Sequence, residues 1–246
     1  MLNDHINYAE PPDEDNEYWL SFSDILAGLL VIFVLASVAL MLEISSQNQS
    51  VEQAIAEAVK DDQVRSEIIT QVVDTLNADS IRVEIAENHT VIRIPEDVIT
   101  FEKGEFRVPQ DPQSQRNALQ VGRVIADVLA QGDRFKHLDT VYIEGHTDST
   151  PYYNPAMKGN WGLSTFRAIE VWNLWHDAGT GLDAFKNASG KKLFSVSGFG
   201  ATRPDPATLA HPDTPASMRK NRRIDIRFTI RRPDLQKYNT LASTLR

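Results

Sequence analysis

Residues 140–148 read Thr140-Val-Tyr-Ile-Glu-Gly-His-Thr-Asp148. The β-branched and aromatic residues from Thr140 to Gly145 predict a strand. Gly145-His-Thr-Asp148 ends that strand in a polar turn. Upstream, Ala118, Leu119, Val121, Val124, Ile125, Val128 and Leu129 follow a helical spacing over residues 115–131. Downstream, residues 162–178 form a second helix, with Leu163, Phe166, Val171, Leu174 and Trp175 as core candidates. Further out, Ile81, Val83 and Ile85 alternate with Arg82 and Glu84, as in a half-buried strand. Asn88-His89 marks a turn, and Val91-Ile-Arg-Ile94 is the returning strand, stopped by Pro95. Leu193 to Ser197 and the alternating run Arg222 to Ile230 complete the set. Helices falling between strands predict an α+β domain over residues 81–232, with one mixed sheet and helices packed on one face.

A different pattern precedes this domain. From Ile25 to Leu42 there are 18 residues of which only Ser37 is polar. Within the segment 18–44, the 25 residues from Tyr18 to Leu42 make about 37 Å of helix, against a hydrocarbon core of about 30 Å. It predicts one N-terminal transmembrane helix. Its leading flank is acidic and holds no Lys or Arg, which does not fit a cleaved signal peptide. Residues 1–17 are expected to be an extended or disordered acidic tail. Residues 45–80 are expected to be a polar break (Ser45 to Ser50) and an amphipathic linker helix, with stripes Val51, Ala54, Ile55, Ala58, Val59 and Ile68, Ile69, Val72, Val73, Leu76. The linker either packs on the domain or a partner copy, or plugs a gate at the membrane. Nothing in the sequence assigns the tail at 233–246.

Asp24 lies inside the apolar segment. A carboxylate at the centre of a membrane helix costs about 2.5–3.5 kcal/mol, and ion or proton traffic is the usual reason to keep one. Trp19 and Tyr18 form an interfacial aromatic belt, placing Asp24 about 7 Å inside it. Ser23 and Asp24 are also good N-cap residues, so the same carboxylate could mark a helix start.

Composition narrows the field. The 246 residues hold no cysteine, which excludes a disulfide framework and thiolate metal sites. The net charge of −9 argues against direct nucleic-acid binding. No metal is expected, because no second histidine lies at ligand spacing from His146, which is read as orienting the turn. No nucleophile–base pair, P-loop or paired acids at a cleft are found, and the chain is not expected to be an enzyme. Arg219, Lys220, Arg222, Arg223 and Arg227 are read as capping one sheet face or shaping a ligand rim.

Gly145-His-Thr-Asp148, Asn160-Trp-Gly-Leu-Ser-Thr-Phe-Arg-Ala168, Gly198-Phe-Gly200 and Asn221-Arg-Arg-Ile224 follow in order at strand and helix boundaries. This series resembles the OmpA-like peptidoglycan-binding domain. The resemblance implies that Asp148, Asn160, Leu163 and Arg167 contact peptidoglycan. A stem residue such as diaminopimelate carries both ammonium and carboxylate. Asp148 would accept from the first, and Arg167 would fork the second. Arg167→Ala is then expected to abolish wall capture with the melt nearly intact. A plain Asp148–Arg167 ion pair is the competing reading. The gap between Asp148 and Arg167 is longer than is common in the family, and Tyr152-Tyr-Asn-Pro-Ala-Met-Lys158 fills it.

A membrane helix with an internal Asp ahead of such a domain resembles the B subunits of MotB-like ion-driven stators. Among these, the segment Trp19 to Gly28 is most similar to the B subunits of the Zorya anti-phage system. The resemblance implies a single-pass bacterial inner-membrane protein with a cytoplasmic N-terminus and a periplasmic domain. It implies a homodimer inside a ring of A subunits, five in number. Asp24 would carry the ion, H+ or alternatively Na+, with no cofactor. A flagellar stator subunit and a non-transporting envelope anchor stay open.

Overall fold

The computed structural model describes residues 14–108, 111–154 and 158–231. The acidic tail up to Asp13 and the C-terminal tail from Arg232 lie outside the described residues, as do Pro155, Ala156 and Met157 of the extra segment. The chain divides into two compact units, one reaching from the N-terminus to Ala54 and one spanning Ile55–Pro233.

Helix α1 (Glu14–Ala78) starts in the first unit, earlier than expected, runs unbroken through Ser45–Ser50, and from Ile55 on belongs to the second unit. The expected polar break is therefore helical. Its Ser, Gln and Asn residues weaken a helix only slightly, and no Gly or Pro interrupts it. The early start also removes the N-cap reading of Asp24, which sits in the helix interior, ten residues past Glu14. Between Trp19 and Ile44 the large apolar side chains are exposed, among them Leu29, Ile32, Phe33 and Met41. The stretch has a mean hydropathy of 3.0 over its best window, long and apolar enough to cross a bilayer. Ser37, the one polar residue between Ile25 and Leu42, donates to the carbonyl of Phe33 at 2.8 Å, so its hydroxyl is satisfied within its own helix.

The second unit is a five-stranded mixed sheet with helices. Its strands are β1 (Glu84–Ala86), β2 (Val91–Pro95), β3 (Leu138–His146), β4 (Phe194–Gly198) and β5 (Arg223–Ile230), in the order β1-β2-β5-β3-β4. Only β3 and β4 are parallel. Between them runs α3 (Gly159–Asp177), while α2 (Pro112–Ala130) precedes β3 and the short α4 (Pro215–Asn221) precedes β5. Ile92, Ile94, Val141, Ile143, Ile224, Ile226 and Phe228 form one core with the buried stripes of α2 and α3. Ile68, Ile69, Val72, Val73 and Leu76 of α1 join this core, so the later linker stripe packs on the domain.

Two boundaries differ from the sequence reading. Ile81 to Val83 stay outside the ladder although Ile81 and Val83 are buried. The reason is local: Ile81 N–H donates to Leu76 C=O at 2.9 Å, and the Asn77 amide bonds both the N–H and the C=O of Val83. Those groups are occupied by the end of α1. Helix α4 was not foreseen. Thr214 caps it by accepting from Ser217 N–H, and Pro215 fixes its first turn.

Candidate functional site

The alternation of the central strands separates two chemistries. Val141, Ile143 and Gly145 face α3, while the neighbouring positions Glu144 and His146 fall on the other face with Asp225 and Arg223 as cross-strand partners. A Cβ on Gly145 would lie 1.9 Å from the carbonyl oxygen of Ser164, and one on Gly198 would lie 2.3 Å from Thr165 Oγ1. These two glycines let the first turns of α3 settle directly on the ends of β3 and β4. That approach holds Asn160, Leu163 and Arg167 beside the turn that carries Asp148.

All four residues line one cleft of about 550 Å³. Its other walls include Glu96, Phe101, Lys103, Tyr152, Met218 and Arg222. Asp148 Oδ1 accepts from Thr150 N–H at 2.9 Å, and Oδ2 accepts from Arg222 Nη1 at 2.5 Å. The ion pair of Asp148 is thus with Arg222 and not with Arg167. Glu96 completes the bridge: Arg222 Nε and Nη2 donate to its two oxygens at 2.6 and 2.7 Å. Hydrogen bonding to Glu96, and then to Asp148, outweighs burial and holds the Arg222 guanidinium above its ordinary pKa. Burial raises the Asp148 carboxyl, but the bonds from Arg222 and Thr150 prevail, and its pKa lies below the ordinary value.

Arg167 is buried, and its charge is anchored by backbone. Nε donates to Glu105 C=O at 2.9 Å and Nη2 to Glu102 C=O at 3.2 Å, with the guanidinium stacked 4.9 Å from the Phe101 ring centre. The Nε–Nη2 edge, one of the two that can fork a carboxylate, is therefore committed. Nη1 has no partner among the described residues. Burial lowers this guanidinium to about 10, so it remains a cation at neutral pH. Asn160 serves the loop: its amide donates to Thr150 C=O at 3.0 Å and to Asp148 C=O at 3.4 Å. Leu163, 5% exposed, supplies an apolar floor.

The remaining motif residues work nearby. Asn221 Oδ1 accepts from Asp205 N–H at 2.8 Å, Arg222 enters the cleft, and Arg223 turns to the polar sheet face to bond Asp225 at 3.0 Å. His146 does not hydrogen-bond the turn. Neither ring nitrogen makes a hydrogen bond among the described residues, Nε2 lies 3.5 Å from Asp225 Oδ2, and the ring stacks on Phe199 at 5.4 Å. Trp161 is exposed on α3, whereas Trp175, a core candidate from the sequence, is fully buried. Sequence reasoning missed Glu96 altogether. It follows a strand-ending proline, and nothing local signals a partner 126 residues away.

This cleft is built to bind. Arg222 bridges its two carboxylates, and the Asp148 carboxyl lies below its ordinary pKa. The chain belongs to the OmpA family, whose model matches residues 100–222. It is similar to the Zorya protein ZorB of Escherichia coli, at 26% identity over 170 residues covering 67% of this chain and 70% of that protein. A putative MotB-like protein from Desulfovibrio vulgaris shares the fold with a TM-score of 0.50 at 19% identity, over 73% of this chain and 99% of that one. The periplasmic domain of Helicobacter pylori MotB aligns at 22% identity with a TM-score of 0.46, over 66% and 90% of the two chains.

Proposed function

We propose that this chain is the peptidoglycan-anchored B subunit of an inner-membrane, ion-driven rotary stator that acts in anti-phage defence. The observation that carries the motor reading is Asp24. It is an exposed carboxylate in the helix interior, immediately before the apolar run Ile25–Leu42, and it makes no hydrogen bond or ion pair with the described residues. Such a group is retained where its protonation is used. The cleft supports wall anchoring, and the similarity to MotB-like proteins and to ZorB supports the stator class and the defence role.

In this reading two copies stand inside a ring of five A subunits, with N-termini in the cytoplasm and wall-binding domains in the periplasm. The Asp24 carboxylates bind and release an ion in turn, H+ by default and Na+ as the alternative. Each change of charge shifts which A-subunit contact is favoured, and the ring steps around the anchored pair.

The test compares phage plating and swimming in cells carrying this chain with its genomic neighbours, wild type beside Asp24→Asn. Protection that disappears with Asp24→Asn is the expected result. Restored swimming in a stator-deleted host without protection would return the chain to the flagellar class. Protection that survives Asp24→Asn would leave a non-transporting envelope anchor.

A further inference from the structure

The cleft is unequal in what it offers a ligand. All four oxygens of Glu96 and Asp148 already accept hydrogen bonds from Arg222 or Thr150. The groups still uncommitted among the described residues are donors. Arg167 Nη1 keeps its hydrogens, Lys103 makes no ion pair, and both belong to the lining. Tyr152 belongs to it too. Its ring packs on Gly104, where an added Cβ would sit 3.3 Å from the ring, and its hydroxyl oxygen accepts from the Asn154 amide at 3.3 Å. A phenol that accepts from an amide keeps its own proton for another acceptor. Three cations stand against two carboxylates in the lining, which leaves one net positive charge.

Tyr152 also stands where it matters for Arg167. Gly104, with φ of +77°, lies between Glu102 and Glu105, whose carbonyls hold the guanidinium. Tyr152, at the start of the segment that lengthens the gap between Asp148 and α3, therefore contributes one wall of the cleft and backs the loop that fixes the cation.

We propose that this cleft selects stem peptides whose side-chain carboxylate is free over those in which it is a carboxamide, and that Tyr152 is a specificity-determining residue that donates to that carboxylate beside Arg167. This rests on the wall-binding reading above. A carboxylate takes charge-assisted bonds from Arg167 and Tyr152 and neutralises the net charge of the cleft. A carboxamide gives neutral bonds, and its NH2 group meets further donors.

The experiment is calorimetric titration of the full chain in detergent with two soluble disaccharide-tripeptides. One carries diaminopimelate with its side-chain carboxylate free, and the other carries the amide. Wild type is expected to bind the free acid about ten-fold or more tightly. Tyr152→Phe, which keeps the ring on Gly104, is expected to cut that preference about three-fold or more, chiefly by weakening the free acid. Equal affinity of wild type for both peptides overturns the selection. An undiminished preference in Tyr152→Phe overturns the role of the phenol. Binding of neither peptide by wild type overturns the wall-binding reading and the selection with it.

Discussion

His146 shows how a motif residue can act on stability without touching the ligand. It is 2% exposed, and burial, followed by the nearby Arg223 cation, lowers its pKa from 6.5 to about 3. The folded state therefore keeps this ring neutral where the unfolded chain protonates it. Stability is full above pH 6.5 and falls as the pH drops toward 3. Between pH 6.5 and 5 the expected loss is about 2 kcal/mol. His146→Phe, which retains the stack on Phe199, should flatten this part of the curve. An unchanged slope in thermal melts of that variant would refute the assignment. The depressed Asp148 carboxyl adds its own loss only at lower pH, as protonation approaches its folded value. Arg167 departs from its expected behaviour as well. Arg167→Ala removes the donors to two loop carbonyls and the stack on Phe101, so it should cost about 2 kcal/mol in stability besides weakening wall capture. A melt indistinguishable from wild type would contradict the anchoring bonds. The resemblance to the OmpA-like domain marked Asp148, Asn160, Leu163 and Arg167 as a group, because its motifs match one turn and one helix start of this sequence. It could not show that Arg222 and Glu96 join them, because that meeting depends on the pairing of β2 with β5 and on where each strand ends.

At the scale of elements, the site depends on how closely α3 rests on β3. Gly145 faces the Ser164 carbonyl with no room for a methyl group, so Gly145→Ala must push the start of α3 away from the sheet. Overpacking against rigid backbone predicts a loss on the order of 3 kcal/mol. Wall binding should fall too, because Asn160, Leu163 and Arg167 move with the helix. Chemical unfolding and peptidoglycan capture would check both parts, and a variant of wild-type stability would show that the contact relaxes cheaply. The periodic helices α2 and α3 were readable from sequence, since their stripes are long and regular. Strand β1 was read too long because its alternation is genuine, yet Asn77 and the end of α1 claim the backbone of Ile81 to Val83. The break at Ser45–Ser50 was misread because polar composition alone does not end a helix that lacks Gly or Pro.

For the whole molecule, two chemistries sit in separate units. Asp24 lies beside an apolar helical stretch whose exposed side chains demand lipid or a protein partner, and the cleft lies in the α+β unit with its own core. Substitutions at sites this distinct, with no shared partner, are expected to act independently. Asp24→Asn should abolish phage protection while detergent-extracted chain is still captured by peptidoglycan at the wild-type level, because the cleft contains none of the altered atoms. Leu163→Asp should do the reverse at the level of binding. It places a charge on the apolar floor and loses capture, while the chain still sediments with membranes, since the apolar helix is untouched. Paired capture and sedimentation assays on the two variants separate the roles. If Asp24→Asn weakened capture, wall binding would be coupled to the charge on the membrane helix, and the cleft could no longer be treated as an independent anchor.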